Sequence, residues 1–75
     1  MNKIDEIIIA TEERRGKKRI RFNNETPLED FGFDSLDVME IIIQAEGEYG
    51  RRIPNRRIKN IYTVGDLYAL FEKHE

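Results

Sequence analysis

The run from Ser35 to Tyr49 contains no proline and a single glycine, Gly47, and it carries apolar side chains in two registers at once. Advancing about 100° per residue from Ser35, Val38, Ile41, Ile42, Ala45 and Tyr49 gather in one arc, wide enough to be the core stripe of an amphipathic helix. Leu36, Met39 and Ile43 gather in a second, narrower arc near Ser35. Asp37, Glu40, Gln44 and Glu48 make up the polar side, while Glu46 and Gly47 border the second strip. The first arc commits the chain to helix packing. The second has two readings. A central helix in a small bundle is buried nearly all round, and Met39, which borders both arcs, is then core. Alternatively Leu36 and Ile43 stay exposed beside Ser35 as an apolar strip rimmed by acids, in which the acids steer a partner and the apolar groups hold it.

The flanking segments supply further helices. Ile4, Ile7, Ile8 and Thr11 share one face of a helix expected from Lys3 to Arg15, with Asp5 and Glu6 in its first turn and Arg14 and Arg15 in its last, as the helix dipole favours. Gly16 is a stop signal. Residues 17–27 read as a loop, pinned to the core by Ile20 and Phe22, because a lone strand there has nothing to pair with. Leu28 and Phe31 are expected to pack inward from a short turn before Gly32. Gly50 closes the central helix, Ile53-Pro54 is extended, and Asn55 is placed to cap a short helix ending near Asn60. Thr63-Val64-Gly65-Asp66 has the form of a capping box with Asp in place of Glu. The last helix is expected to reach about Lys73, with Val64, Leu67, Tyr68 and Phe71 on one face. The expected fold is all-α, a small bundle of three main helices plus one short helix, with a long first loop. It forms a single domain over residues 1–75.

A domain of this size buries only about 60% of its unfolded surface, which argues against a deep enzyme cleft. The chain has no cysteine, which removes disulfides, thiolate metal sites and a cysteine nucleophile. Its N-terminus lacks the apolar run of a signal peptide, and no segment approaches a membrane span. Together these read as a cytoplasmic protein, expected to be a monomer. The net charge of −2 conceals segregation. Residues 1–22 carry seven Lys/Arg against four Asp/Glu, residues 23–48 carry eight Asp/Glu and no Lys or Arg, and residues 49–62 carry five Lys/Arg and no acid.

Within Phe31-Gly32-Phe33-Asp34-Ser35-Leu36-Asp37 a serine stands at the turn into the central helix. It is badly placed for packing and well placed for modification. The only histidine, His74, lies at the end of the chain, so no Ser-His-Asp set can be argued. Either Asp34 or Ser35 could serve simply as an N-cap. Gly32 lets the loop present the serine, and a phosphate on Ser35 would face the positive end of a helix. Asp34 and Asp37 would repel such a phosphate and make better sense as recognition features for a modifying enzyme.

In company, these residues resemble the acyl carrier protein family. The resemblance runs from about Asn23 to Phe71. It rests on Thr26-Pro27-Leu28 through Gly32, Asp34-Ser35-Leu36-Asp37, Glu46-x-Glu48-Tyr49, Ile53-Pro54 and Ile61-x-Thr63-Val64-x-Asp66-Leu67. It implies a non-catalytic carrier with 4'-phosphopantetheine attached covalently to Ser35 from coenzyme A. Asp34 and Leu36 would be read by a phosphopantetheinyl transferase. Leu36, Asp37, Met39, Glu40, Ile43 and Glu46 would form the surface read by acyl-loading and acyl-processing enzymes. No metal is expected. The chain departs from the family in Arg51, Arg52, Arg56, Arg57 and Lys59, where bulk fatty-acid carriers are acidic, in a basic first loop, and in Gly47. Those departures point to a specialised lipid or secondary-metabolite pathway. The basic residues could alternatively only balance acids within the domain. A peptidyl or aminoacyl carrier is the nearest rival, disfavoured by Asp34. A nucleic-acid-binding helical domain is disfavoured by the acidic central helix.

Overall fold

The structure, a computed structural model, describes residues 2–72, apart from the side chain of Glu72. Four α-helices follow the apolar periodicities: α1 (Lys3–Arg14), α2 (Ser35–Tyr49), α3 (Asn55–Ile58) and α4 (Val64–Glu72), with a short 3-10 turn at Leu28–Phe31. The expected positions of Lys73 and His74 lie outside the described residues. No helix of the described residues is long and apolar enough to cross a membrane.

Helix α2 is the centre, packing on α1 along one flank and on α4 along the other. Ile4, Ile7 and Ile8 of α1, Ile41, Ile42 and Ala45 of α2, and Val64, Leu67, Leu70 and Phe71 of α4 are buried together. The core arc of α2 thus falls where its periodicity places it, with Val38 and Tyr49 half-buried at its margins. Tyr49 stacks on Phe71 with ring centroids 5.4 Å apart.

The long loop is tied down rather than free. Ile20 and Phe22 are half-buried against the core, as expected, and Phe22 meets Phe31 edge to face. The buried carboxylate of Glu12 accepts the Ile20 N–H at 3.3 Å, while Arg19 approaches it to 3.7 Å. Burial raises the pKa of Glu12, and the Ile20 hydrogen bond and Arg19 oppose that rise. Further on, Leu28 N–H donates to the Tyr62 carbonyl and Val64 N–H to the Thr26 carbonyl, so the loop end clasps the start of α4. Gly65 N–H donates to the Asn24 carbonyl at 2.8 Å, and a Cβ on Gly65 would come within 2.9 Å of that oxygen. That approach admits only glycine.

The Thr63–Asp66 capping box is present. Asp66 N–H donates to Thr63 Oγ1 at 3.2 Å, and Asp66 Oδ2 accepts the N–H groups of Tyr62 and Thr63. Asn55 does not cap α3. Pro54 occupies the N-cap with no side-chain bond, and Asn55 is the first helical residue. The extended backbone before it is fixed by proline, so α3 starts without an acceptor and lasts only four residues.

The two arcs of α2 separate in energy. Ile42→Ala should destabilise the fold by about 2–5 kcal/mol as a core truncation. Ile43→Ala, at an exposed position, should cost under about 1 kcal/mol. Urea unfolding of the two variants checks this. Equal, large losses would place Ile43 in the core.

Candidate functional site

The entry into α2 is built by one reciprocal pair. Asp37 N–H donates to Asp34 Oδ1 at 2.9 Å, and Asp34 N–H donates to Asp37 Oδ2 at 3.1 Å. Asp34 is the N-cap, in extended backbone, and Gly32 before it adopts φ 80°, ending the 3-10 turn. Phe33 between them is buried and stacks on Phe31 with centroids 5.0 Å apart. An anchored aromatic on one side and a capped helix on the other hold Ser35 in place.

Because Asp34 does the capping, the Ser35 side chain is left over. It is exposed on the first turn, and no hydrogen bond among the described residues engages its hydroxyl. This is the donor chemistry that a phosphodiester linkage requires: a primary hydroxyl, outside the core and unspent. The hydrogen bond from Asp37 N–H, with weaker help from the charges of Arg15 and Lys17, holds the Asp34 carboxyl below the usual carboxylate range. Ionised Asp34 therefore supports the fold above the ordinary carboxylate pKa, and that support fades as pH falls through the lowered value.

The apolar strip beside Ser35 is real surface. Leu36 is 69% exposed, Ile43 57% and Met39 36%. These values decide between the two readings of the second arc in favour of exposure. The acids meant to rim it are placed differently. Asp37, expected on the partner-facing surface, is buried at the helix entry. Its position in projection borders the core arc, and the end of α1 covers it. Arg15 Nε stands 2.8 Å from Asp37 Oδ1, off the direction of a hydrogen bond, so the contact is an ion pair. Glu40 is half-exposed and pairs with Arg14 at 3.1 Å. Glu46 is half-buried and accepts the Ile53 N–H at 2.8 Å, fixing the chain after α2. Lys3 lies 3.8 Å from Glu48. Of the residues expected in the recognition surface, Leu36, Met39 and Ile43 are brought together on one open face. Glu40 flanks them with its charge matched, and Asp37 and Glu46 work within the fold.

Sequence reasoning missed the pairing of α1 cations with α2 acids. Arg14 and Arg15 could be read only as favourable to the dipole of their own helix. The available signal was charge segregation, a basic N-terminal segment against an acidic central one, which becomes a pairing once α1 lies along α2.

Comparison with known proteins agrees with this geometry. The family described as "Phosphopantetheine attachment site" matches residues 6–71. The acyl carrier protein of Arthrobacter sp. (strain FB24) is 47% identical over 41 residues, 55% of this chain and 51% of that protein. The meromycolate extension acyl carrier protein of Mycolicibacterium aurum is 40% identical over 48 residues, 64% of this chain and 50% of that protein. The chain thus spans about half the length of the curated relatives it matches. The crystal structure of an acyl carrier protein from Thermotoga maritima superposes with a TM-score of 0.77 at 29% identity, covering 92% of this chain and 81% of that one.

The two arginines at the end of α1 should behave unequally. Arg14→Ala breaks a half-exposed pair and should cost at most about 1 kcal/mol. Arg15→Ala leaves the buried Asp37 carboxylate without its counter-charge and should cost about 1–3 kcal/mol. Denaturant titration at neutral pH ranks the two, and a larger loss for Arg14→Ala would contradict this account of the helix entry.

Proposed function

The chain belongs to the acyl carrier protein family, and we propose that it works as a non-catalytic carrier loaded on Ser35. Its cofactor is a covalently attached 4'-phosphopantetheine, which supplies a flexible arm ending in a thiol that holds acyl groups as thioesters. The observation that carries the assignment to Ser35 is the division of labour at the α2 entry: Asp34 caps the helix, and the neighbouring hydroxyl stays exposed and unengaged.

The surrounding residues have distinct tasks in this reading. Phe33, Gly32 and the Asp34–Asp37 pair hold the serine at a fixed point on the surface. Asp34 and Leu36, on either side of it, are what a phosphopantetheinyl transferase reads. Leu36, Met39 and Ile43 offer the apolar contact for enzymes that load and process the cargo. Burying such a strip in a partner removes its exposed area from water, at about 25 cal/mol per Å² of apolar surface. Asp37 and Glu46 act through the backbone they hold and not by touching a partner.

We further assign the carrier to a specialised lipid or secondary-metabolite pathway. The support is electrostatic. Three of the four α2 acids, Asp37, Glu40 and Glu48, face cations from the α1 segment, and the segment after Ile53-Pro54 is basic. Both features would weaken attraction to enzymes that present a cationic face to an acidic carrier. A relative named for meromycolate extension agrees with a lipid pathway. The relatives are acyl carrier proteins, which favours an acyl cargo over a peptidyl one.

Incubation with coenzyme A, magnesium and a broad-range phosphopantetheinyl transferase should add one phosphopantetheine, seen by mass spectrometry, and Ser35→Ala should abolish the addition while leaving the fold intact. Modification of the Ala variant, or none of the native protein with several transferases, would sink the assignment.

A further inference from the structure

Of the three cations that α1 and its C-cap bring to α2, Arg14 is the one that stands beside the apolar strip. Arg15 goes to the buried Asp37, and Lys3 lies 3.8 Å from Glu48 near the far end of the helix. Arg14 lines a shallow groove with Glu40, Gln44 and Ile43, and Ile43 belongs to the strip.

The Arg14 guanidinium is held by several acceptors at once. Its Nη2 donates to Glu40 Oε1 at 3.1 Å and, at 3.5 Å, to Thr11 Oγ1 one turn back on α1. With the Gln44 amide turned so that its oxygen faces Arg14, that oxygen accepts from Nη1 at 3.2 Å and from Nη2 at 3.3 Å. Thr11 is itself fixed, since it is buried and donates to the Ile7 carbonyl at 2.8 Å. A planar fork with acceptors on both helices loses less freedom per bond than a flexible ammonium does.

The acids nearest Ser35 are in a different condition. Glu29, Asp30 and Asp34 are exposed and form no ion pair among the described residues. Negative charge is thus open to a partner at the entry of α2 and closed at Glu40, five residues past Ser35. A partner cation that reaches for Glu40 meets Arg14 on the same carboxylate, like charge against like. It has to displace Arg14 from its acceptors or bind elsewhere.

We propose that Arg14 is a specificity-determining residue of this carrier. By occupying Glu40 it favours enzymes that meet the α2 entry with cations, the strip with an apolar receptor, and the Glu40 position with a neutral hydrogen-bonding side chain. This rests on the carrier reading above and adds the chemistry by which partners are selected. Arg14 acts through Glu40, so the two residues are coupled in binding, whereas simple addition of charges gives no coupling.

The test is a double-mutant cycle on the full apo-chain, read as KM and kcat for phosphopantetheine transfer from coenzyme A. The probe is a phosphopantetheinyl transferase that places a cation at this position. It is chosen because its KM for an acidic carrier rises when that carrier's acid five residues past the modified serine is changed to Gln. Measurement at about 0.3 M salt screens charges more than several ångströms apart and leaves direct contacts. Arg14→Ala should then lower KM about threefold with kcat unchanged, the size of one surface ion pair. Glu40→Gln should move KM by less than about 1.5-fold in the wild type, and should cancel the whole gain in the Arg14→Ala background. Lys18→Ala removes an exposed cation that does not line the groove and should leave KM within about 1.5-fold of wild type. The proposal is overturned if Glu40→Gln raises KM equally with and without Arg14, or if Lys18→Ala matches Arg14→Ala. It is also overturned if Arg14→Ala leaves KM unmoved or changes kcat instead. Failure of the carrier reading looks different: no variant is modified, or Ser35→Ala is.

Discussion

Two carboxylates three residues apart decide where α2 begins, and the carrier face is laid out from that point. Asp34 and Asp37 each satisfy a backbone donor of the other. Free N–H groups at a helix start need acceptors, and here both acceptors are anions suited to the positive end of the helix. The cost is a buried carboxylate on Asp37, which the neighbouring Arg15 offsets. Because Arg15 closes α1, the same contact sets the junction of α1 with α2. Loop, helix start and helix packing are thus joined at one place, and Ser35 is the residue between the two carboxylates that none of these bonds uses.

Much of this was legible in the sequence because it is periodic or local. Apolar residues every three or four positions marked α1, α2 and α4. Gly50, Ile53-Pro54 and the Thr63–Asp66 box marked the connections. Projection separated the two arcs of α2 and left both readings of the second open; its exposure came from the structure. What projection cannot carry is the neighbour. Asp37 projects onto the polar side and is buried only because the end of α1 lies over it. Glu40 and Arg14 are 26 residues apart, and no local rule pairs them. Asn55 illustrates the reverse error. Its residue type favours a cap, yet the extended backbone at Pro54 takes that position, and α3 begins uncapped.

Glu46 shows how a local motif acquires its meaning from the fold. In sequence it borders an apolar strip and reads as part of a docking rim. In the structure its carboxylate takes the Ile53 N–H, while its carbonyl receives the N–H groups of Gly50 and Arg51. Gly50, at φ 65°, makes this closure possible. The spacing from Glu46 to Ile53-Pro54 is therefore the spacing of a helix end, and it sets the point from which α3 and its arginines project.

Pairing acids with cations inside the domain has a consequence for recognition. A small helical domain can hold an acidic central helix unpaired, accepting self-repulsion in exchange for a long-range field. This chain resolves the repulsion internally, through Arg14, Arg15 and Lys3. The field is thereby damped along α2, while Glu29, Asp30 and Asp34 at its entry form no ion pair among the described residues. Leu36, Met39 and Ile43 on α2 can hold any surface with a matching apolar receptor, since apolar contact carries little directional information. Selection among such surfaces then falls to the charges that surround the strip.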